Sequence, residues 1–322
     1  SIGLRNLTCA SLLDHLAGFC ADNNEYQKAV DICNEAITIY KELEIRDISY
    51  AVSLHNIALY HSKLHNYKEA ISFGSEALEI AKNTGMISHP NYVCFLSDLA
   101  IFYSYINAYD KSIQLNSEAL TFYEKSLGTN NHSYAGILKC QASNFSALGY
   151  YDEAIQLNRK ALDIFKNLYG NKHPLYAATL SNLASNYDDL CQYEKAIQFG
   201  NEALQIFKSI KGEDKSNYVT TLNNLALYNN HKGNHETAIR LSNEAMSFIK
   251  KEWGSTTNID YATSLNNLAM CYAEFDNNKA IQFATNALDI VKSICGTNNH
   301  KYATSLGNLA KFYTAAGNYQ EA

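Results

Sequence analysis

The sequence predicts an all-α protein built from stacked antiparallel helical hairpins. One motif recurs eight times along the 322 residues, at intervals of 41–43 residues. Each of the seven complete copies contains two apolar stripes with the period of an α-helix, separated by a short polar break, and the eighth copy is partial. The two prolines, Pro90 and Pro174, both lie just before a predicted first helix, where proline is tolerated. A single hairpin cannot bury its apolar face alone, so the copies must stack on one another.

The clearest copy is the stretch 176–204, YAATLSNLASNYDDLCQYEKAIQFGNEAL. Leu180, Leu183 and Tyr187 follow Tyr176 at spacings that place them on one face of a first helix. A polar break at Asp188–Gln192 then precedes the stripe of a second helix. Small residues stand where the helices must approach closely, because a larger side chain would hold the axes apart. These small residues are Ala184, Ala196, Gly200 and Ala203.

Two columns are invariant in all eight copies. Counting the opening residue as position zero, position four is always Leu and position eight is always Ala. The opening residues are Cys9, Tyr50, Tyr92, Tyr134, Tyr176, Tyr218, Tyr261 and Tyr302. The leucines are Leu13, Leu54, Leu96, Leu138, Leu180, Leu222, Leu265 and Leu306. The alanines are Ala17, Ala58, Ala100, Ala142, Ala184, Ala226, Ala269 and Ala310.

This pattern resembles the tetratricopeptide repeat, whose signature runs from a large residue through Leu-small and Tyr to alanines on the second helix. The aromatic position of that signature is shifted, because Gly200 occupies it and Phe199 precedes it. The matching residues are Leu180, Leu183, Ala184, Tyr187, Ala196 and Ala203. The resemblance implies a right-handed superhelical solenoid in which the first helices face a concave groove.

The copies are about eight residues longer than the standard repeat of 34. The extra length lies in the second helix and in linkers such as YGNKHPLY, 169–176. This long form is similar to the repeats of kinesin light chains. It is also similar to repeat arrays found beside caspase-like CHAT protease domains and signalling NTPases.

We expect residues 1–322 to form a single array. The chain starts inside an inter-repeat linker and ends on an unfinished hairpin, so we also expect the sequence to be an excerpt of a longer protein. The predicted repeats are 9–43, 50–83, 92–127, 134–168, 176–210, 218–251, 261–294 and a partial copy at 302–322.

Composition argues against nucleic acid and membrane partners. The net charge is −6 and the basic residues are scattered, so the chain has no basic stripe to neutralise phosphates. No apolar run approaches the roughly 20 residues that a membrane span needs. The eight cysteines have irregular spacing and form no CxxC pair. They are better interpreted as free thiols in a reducing compartment, which places the protein in the cytoplasm.

The motifs present in the sequence favour a protein that is not an enzyme and has no metal or cofactor. No phosphate loop, HExxH, EF-hand loop or GxSxG motif occurs. One histidine per repeat precedes the opening tyrosine in four linkers, and we expect these histidines to cap the following helix. They are His89, His132, His173 and His300.

The candidate binding site is a polar column on the first helices, which we call the amide ladder. Position six is polar in most copies although the core position seven follows it, and position five adds further polar residues. In tetratricopeptide proteins this first helix faces the groove and its polar residues contact bound peptides. The ladder is predicted to comprise Asn56, Asp98, Asn182, Asn223, Asn224, Asn266, Asn267 and Asn308.

The ladder has two interpretations that the sequence leaves open. The amides could bond to neighbouring helices and stabilise the stack, or they could hold the main chain of a ligand. The densest run lies in repeats five to eight, so we expect the site there. The acidic pair Asp188 and Asp189 near this run favours a ligand with some positive charge.

We therefore expect a scaffold or adaptor that grips an extended protein or peptide segment. The alternatives are a sensor or regulatory arm of a larger enzyme, such as a CHAT-type protease, and a purely structural spacer. The ligand and the oligomeric state are left open.

Repeat four departs most from the pattern, because Cys140 and Gln141 replace the usual Asn-Leu. Gln141 stands at a core position, so it must find a partner or cost about 1–3 kcal/mol. We expect the first helix of this repeat to be a weak joint.

Overall fold

The computed structural model describes residues 6–210 and 215–322, and these residues confirm the all-α prediction. Every regular element in the described ranges is helical, and no strand occurs there. The helices pair as antiparallel hairpins, each with a first helix that carries the opening residue and a second helix that follows a short turn. Odd-numbered helices below are first helices and even-numbered helices are second helices.

The chain divides into two compact units, and the first of them ends at Ile164. In this unit the second helices α2, α4 and α6 each pack on their own first helix and on the first helix that follows. A short 3₁₀ turn at Met86–Ser88 and a π-helical turn at Tyr123–Leu127 lie between hairpins. Its helices are α1 (Leu7–Asp22), α2 (Tyr26–Glu42), α3 (Ile48–Lys63), α4 (Tyr67–Asn83), α5 (Pro90–Tyr105), α6 (Tyr109–Phe122), α7 (His132–Ala147) and most of α8 (Tyr151–Tyr169).

The second unit begins at Phe165 and repeats the same packing. The last helix of this unit, α15, is a first helix, and turn residues follow it at 316–322. Its helices after α8 are α9 (Pro174–Asp189), α10 (Tyr193–Ser209), α11 (Ser216–His231), α12 (His235–Trp253), α13 (Ile259–Tyr272), α14 (Asn277–Cys295) and α15 (His300–Ala315).

Small residues on the second helices allow the next first helix to approach, as the sequence predicts. A Cβ atom built on Gly74 of α4 would lie 3.3 Å from Leu99 and 3.6 Å from Phe102, both on α5. A Cβ atom on Gly200 of α10 would lie only 2.8 Å from Leu225 of α11. Leu99, Phe102 and Leu225 are buried, so these close approaches form the core between consecutive hairpins.

In most hairpins the turn between the first and the second helix contains a residue in the left-handed region. Glycine occupies this place in Gly149 and Gly233, with φ of +84° and +86°. In other copies the same place holds residues such as Asn107 or Cys191, with φ of +61° and +56°. Asparagine tolerates this conformation better than cysteine does, so the turn at Cys191 carries some backbone strain.

The prediction that linker histidines cap the following helix is correct for two of the four. The side chains of His89 and His173 accept hydrogen bonds from the backbone N–H groups of Asn91 and Leu175. The prediction is wrong for His132 and His300, each of which is the first residue inside its helix. There the preceding asparagines, Asn131 and Asn299, accept the capping hydrogen bond.

Candidate functional site

The first helices lie next to one another and form a continuous layer within each unit. In the first unit α1 contacts α3, α3 contacts α5 and α5 contacts α7. In the second unit α9 contacts α11 and α11 contacts α13. Positions five and six lie on these helices, so the amide ladder follows the first-helix layer from one hairpin to the next.

Three amides of the second unit are already engaged between hairpins. Asn223 is buried, and its Nδ2 donates to the backbone oxygen of Asp260 at 3.1 Å while its Oδ1 accepts from Ser264 Oγ at 2.6 Å. Asn267, also buried, donates from Nδ2 to the backbone oxygen of Asn223 at 2.8 Å. Asn266 donates to Ser305 Oγ at 3.4 Å. These bonds tie α11 to α13 and α13 to α15.

Four other amides of the ladder are half-buried and are not engaged between hairpins. Their side chains make no hydrogen bond to any residue within 6–210 or 215–322. An amide in that state offers one acceptor and two donors to an incoming group. The four are Asn56 on α3, Asn182 on α9, Asn224 on α11 and Asn308 on α15.

The acidic member of the ladder, Asp98 on α5, pairs with a histidine of the preceding hairpin. Its Oδ2 lies 3.2 Å from Nε2 of His55 on α3. The His55 ring packs on Phe95, with 4.6 Å between the ring centroids. Asp98 therefore helps to join α3 to α5, as the amides join α11 to α13.

The ladder is interrupted at the fourth repeat, where a cation and a thiol stand at positions five and six. Lys139 on α7 is half-buried, and burial lowers the pKa of its ammonium group. Cys140 follows it, and burial raises the pKa of that thiol. The charge of the polar side chains therefore changes along the layer, from the carboxylate of Asp98 on α5 to the ammonium group of Lys139 on α7.

A cleft of about 960 Å³ opens beside Asn56 in the first unit. Its walls come from α1, the end of α2, α3 and the start of α5, and Asp14 lies on its lining. The Asp14 carboxylate accepts hydrogen bonds from Ser53 and from Tyr40, the latter at 3.4 Å. Burial outweighs these bonds and raises the pKa of Asp14. The position of this cleft was not predicted from the sequence, which placed the site in repeats five to eight.

Of the acidic pair beside the ladder, Asp188 is engaged in an ion pair and Asp189 is exposed. Asp188 is buried, and both of its carboxylate oxygens lie 3.0 Å from Nδ1 of His231. Asp189 is exposed, and partial desolvation, followed by the charge of Asp188, raises its pKa. Any preference for a positively charged ligand at this end of α9 therefore depends on Asp189.

The structure also contains a second ladder, not predicted from the sequence, which joins the two helices of a hairpin. The opening tyrosine of several repeats donates its hydroxyl proton to a glutamate that follows 26 residues later on the second helix. In repeat six Tyr218 lies 2.8 Å from Glu244, and burial together with this carboxylate raises the pKa of Tyr218 to about 12. The constant spacing of 26 residues between the tyrosine and the glutamate is the sequence pattern that could have revealed these pairs. The pairs are Tyr50–Glu76, Tyr92–Glu118, Tyr176–Glu202 and Tyr218–Glu244.

Other site types leave little trace in the described ranges. No group of His, Cys, Asp and Glu side chains there is arranged to hold a metal ion. All eight cysteines are free. No helix in these ranges combines the length and apolarity that crossing a membrane requires.

Several solved structures are similar to this chain at the level of the fold. The apo form of the quorum sensor NprR from B. thuringiensis is 17% identical and has a TM-score of 0.74, over 97% of this chain and 84% of that chain. A kinesin light chain protein with nearly identical repeats from P. anserina is 20% identical, with a TM-score of 0.56 over 62% of this chain and 96% of that chain. A Rap protein complexed with Competence and Sporulation Factor is 15% identical, with a TM-score of 0.54 over 97% and 100%.

The sequence comparisons agree with this fold. No curated protein sequence matches the chain significantly. The family described as tetratricopeptide repeat matches residues 8–83, 49–125, 133–209, 217–285 and 260–322. Together these matches cover nearly the whole chain, and the long repeats resemble those of kinesin light chains. The chain belongs to the tetratricopeptide repeat family.

Proposed function

We propose that this chain is a non-catalytic scaffold that binds an extended protein or peptide segment along its first-helix layer. The observation that carries the proposal is the set of ladder amides that are half-exposed and make no hydrogen bond within the described ranges. Asn182, Asn224 and Asn308 form this set in the second unit, and Asn56 belongs to it in the first. A polar group that the fold does not use is free to pair with a ligand.

The chemistry of these amides suits a peptide main chain. An extended segment exposes backbone N–H and C=O groups at regular spacing, and each asparagine supplies matching donors and an acceptor. One hydrogen bond contributes only about 0.5–1.5 kcal/mol. Several repeats must therefore act together to offset the cost of ordering a flexible ligand.

The engaged amides have a different part in this proposal. Asn223 and Asn267 bind α11 to α13, so they fix the spacing of the layer rather than contact the ligand. Asn266 does the same towards α15. The ladder thus supports both interpretations that the sequence left open, with different members in each role.

The similar structures are consistent with partner binding on this fold. One of them is a quorum sensor, and another was solved in complex with Competence and Sporulation Factor. At these identities the likeness reaches the fold and no further. The alternative of a regulatory arm beside a protease domain gains no support from these comparisons.

The cellular compartment and the class of partner are proposed from the composition. Eight free thiols favour a reducing compartment, for which we propose the cytoplasm. A net charge of −6 disfavours nucleic acid as the partner.

The test uses peptides selected from a random display library against the full chain. The affinity of one selected peptide is measured by fluorescence anisotropy for the wild type and for a triple variant, Asn182→Ala, Asn224→Ala and Asn308→Ala. We expect the triple variant to bind at least about tenfold more weakly, because about 1 kcal/mol is lost at each amide. Its melting temperature is expected to match the wild type.

A matched control replaces three exposed amides of the second helices, Asn201→Ala, Asn243→Ala and Asn286→Ala. This variant should keep the wild-type affinity. Equal loss in both variants, or none in the first, would move the site away from the ladder. Failure to select any peptide from the library would favour a structural spacer.

A further inference from the structure

A cavity of about 470 Å³ lies in the first unit, between the linker that joins α4 to α5 and the C-terminal half of α6. Ile87 of the 3₁₀ turn, Tyr92 of α5 and Phe122 of α6 supply its apolar walls. The rings of Tyr92 and Phe122 pack together, with 6.5 Å between their centroids. Small-molecule sites have volumes of roughly 300–1,000 Å³ and mostly apolar walls, so this cavity has the size and lining of such a site.

The end of α6 is built differently from the ends of the other second helices. It passes into the π-helical turn Tyr123–Leu127, and no other second helix in the described ranges ends in such a turn. Lys125 and Ser126 belong to this turn, and both line the cavity. Isolated π-helical turns occur frequently at functional sites. Here the turn supplies the polar edge of a cavity whose walls are apolar.

Two residues that line this cavity differ in charge from their counterparts in the preceding hairpin. When α4 and α6 are aligned, Glu79 and Asn83 of α4 stand where α6 has Thr121 and Lys125. A carboxylate on the wall is thus replaced by a hydroxyl group, and a neutral amide at the edge is replaced by an ammonium group. Both changes make the third repeat better suited to an anion than the second repeat is.

The acidic residue on the lining, Glu118, already has partners within the fold. Its carboxylate accepts hydrogen bonds from the hydroxyl group of Tyr92 and from Lys82, whose Nζ lies 3.3 Å from Oε1. The side chain of Lys125, in contrast, makes no ion pair or hydrogen bond to any residue within 6–210 or 215–322. The charge that the cavity offers to a ligand is therefore positive.

We propose that this cavity binds a small amphiphilic carboxylate. The apolar tail of the ligand lies against Ile87, Tyr92 and Phe122, and its carboxylate pairs with the ammonium group of Lys125 at the edge. Ile87 is 52% exposed, so a ligand that covers it removes apolar surface from water. None of these residues stands at the ladder positions five and six, and the proposal stands whether or not the ladder binds peptides.

The probe is decanoate, titrated into the full chain by isothermal titration calorimetry below its critical micelle concentration. We expect saturable binding of one decanoate per chain. Decylammonium has a tail of the same length and the opposite charge at neutral pH. It should bind more weakly, because its headgroup is repelled by Lys125 while its tail meets the same walls.

Two variants at exposed positions separate the tail from the headgroup. Thr121→Trp fills the cavity and should weaken decanoate binding by at least about tenfold. Lys125→Glu should weaken it by about fivefold, a modest loss because an exposed ion pair contributes little, and should strengthen the binding of decylammonium. The matched control is Lys68→Glu on α4, an exposed lysine of the same unit outside the cavity, which should bind like the wild type. Circular dichroism should show wild-type melting temperatures for all three.

Three results would overturn the proposal. Decanoate could show no saturable binding to the wild type, or it could bind the folded Thr121→Trp variant as tightly as the wild type, which would place its binding elsewhere on the chain. Decylammonium could instead bind the wild type as tightly as decanoate does, which would show that Lys125 selects no anion.

Discussion

Two joints between consecutive hairpins solve the same packing problem with opposite chemistry. At the α10–α11 joint Gly200 leaves room for Leu225, and the contact is apolar and fully buried. At the α6–α7 joint Asn116 stands at the position of Gly200 and Gln141 at the position of Leu225. Both amides are buried, at 1% and 7% exposed. A small-and-large apolar pair is thus replaced by two polar side chains of medium size.

The buried amides at the α6–α7 joint have only some of their hydrogen-bonding groups paired. Gln141 Nε2 donates to Ser117 Oγ at 3.1 Å, and Asn144 Nδ2 donates to Ser112 Oγ at 2.7 Å. The amide donors therefore have partners, but buried carbonyl oxygens at this joint have none among the described residues. These are Oδ1 of Asn116, Oε1 of Gln141 and Oδ1 of Asn144.

The comparison teaches that an apolar joint needs only complementary shape, whereas a polar joint needs a complete network. Each buried acceptor without a partner costs about 1–3 kcal/mol. A half-satisfied network is therefore weaker than an apolar core of the same size. The α6–α7 joint should be the weaker of the two.

The largest expected effect comes from placing the polar side chain in the apolar joint. Leu225→Gln removes a fully buried leucine and leaves its amide facing Gly200, which offers no side-chain partner. We expect the free energy of unfolding to fall by about 3–5 kcal/mol. Urea denaturation followed by circular dichroism measures the change. A loss below about 1 kcal/mol would show that the joint tolerates a buried amide.

The reverse exchange should have the opposite sign and a smaller size. Gln141→Leu removes one unpaired oxygen and adds apolar contact, while Ser117 is exposed and can bond to water instead. We expect a gain of about 1–2 kcal/mol by the same denaturation measurement. A destabilised variant would mean that the Gln141 network is complete in solution.

The smallest effect concerns the tyrosine at each joint. Tyr134 donates to Glu124 at 3.0 Å, and that glutamate lies in the segment after α6, so the bond crosses the weak joint. Tyr218 donates instead to Glu244 of its own hairpin. Each Tyr→Phe change should cost about 0.5–1.5 kcal/mol. Only Tyr134→Phe should speed amide exchange in α7, and equal behaviour of the two variants would contradict this.

Much of this structure was predictable because the repeat shows each position several times. The Leu and Ala columns predicted the hairpins. Gly200 predicted a close approach between helices, and in the structure it lies against Leu225 of α11. The sequence also showed that Gln141 stands at a core position. It could not show that the Gln141 donor finds Ser117 while its acceptor finds nothing, because that depends on side-chain geometry across the joint.

The amide ladder shows the same limit. Asn223 and Asn224 are neighbours in sequence and look equivalent there. In the fold Asn223 bonds to α13, whereas Asn224 is half-buried and unpaired within the described ranges. A helix turns by about 100° per residue, so adjacent side chains face different surroundings. Only the packed neighbours decide which of them stabilises the stack and which is left for a ligand.

Hydrogen exchange of the native protein tests the difference between the joints most directly, because it reports the local opening of each helix. We predict that amides in 134–148 exchange about tenfold faster than those in 176–190 and 218–232, since one unpaired buried acceptor costs about 1–3 kcal/mol. Equal protection in all three stretches would contradict this, and would mean that the polar joint at Gln141 is as strong as the apolar one at Leu225.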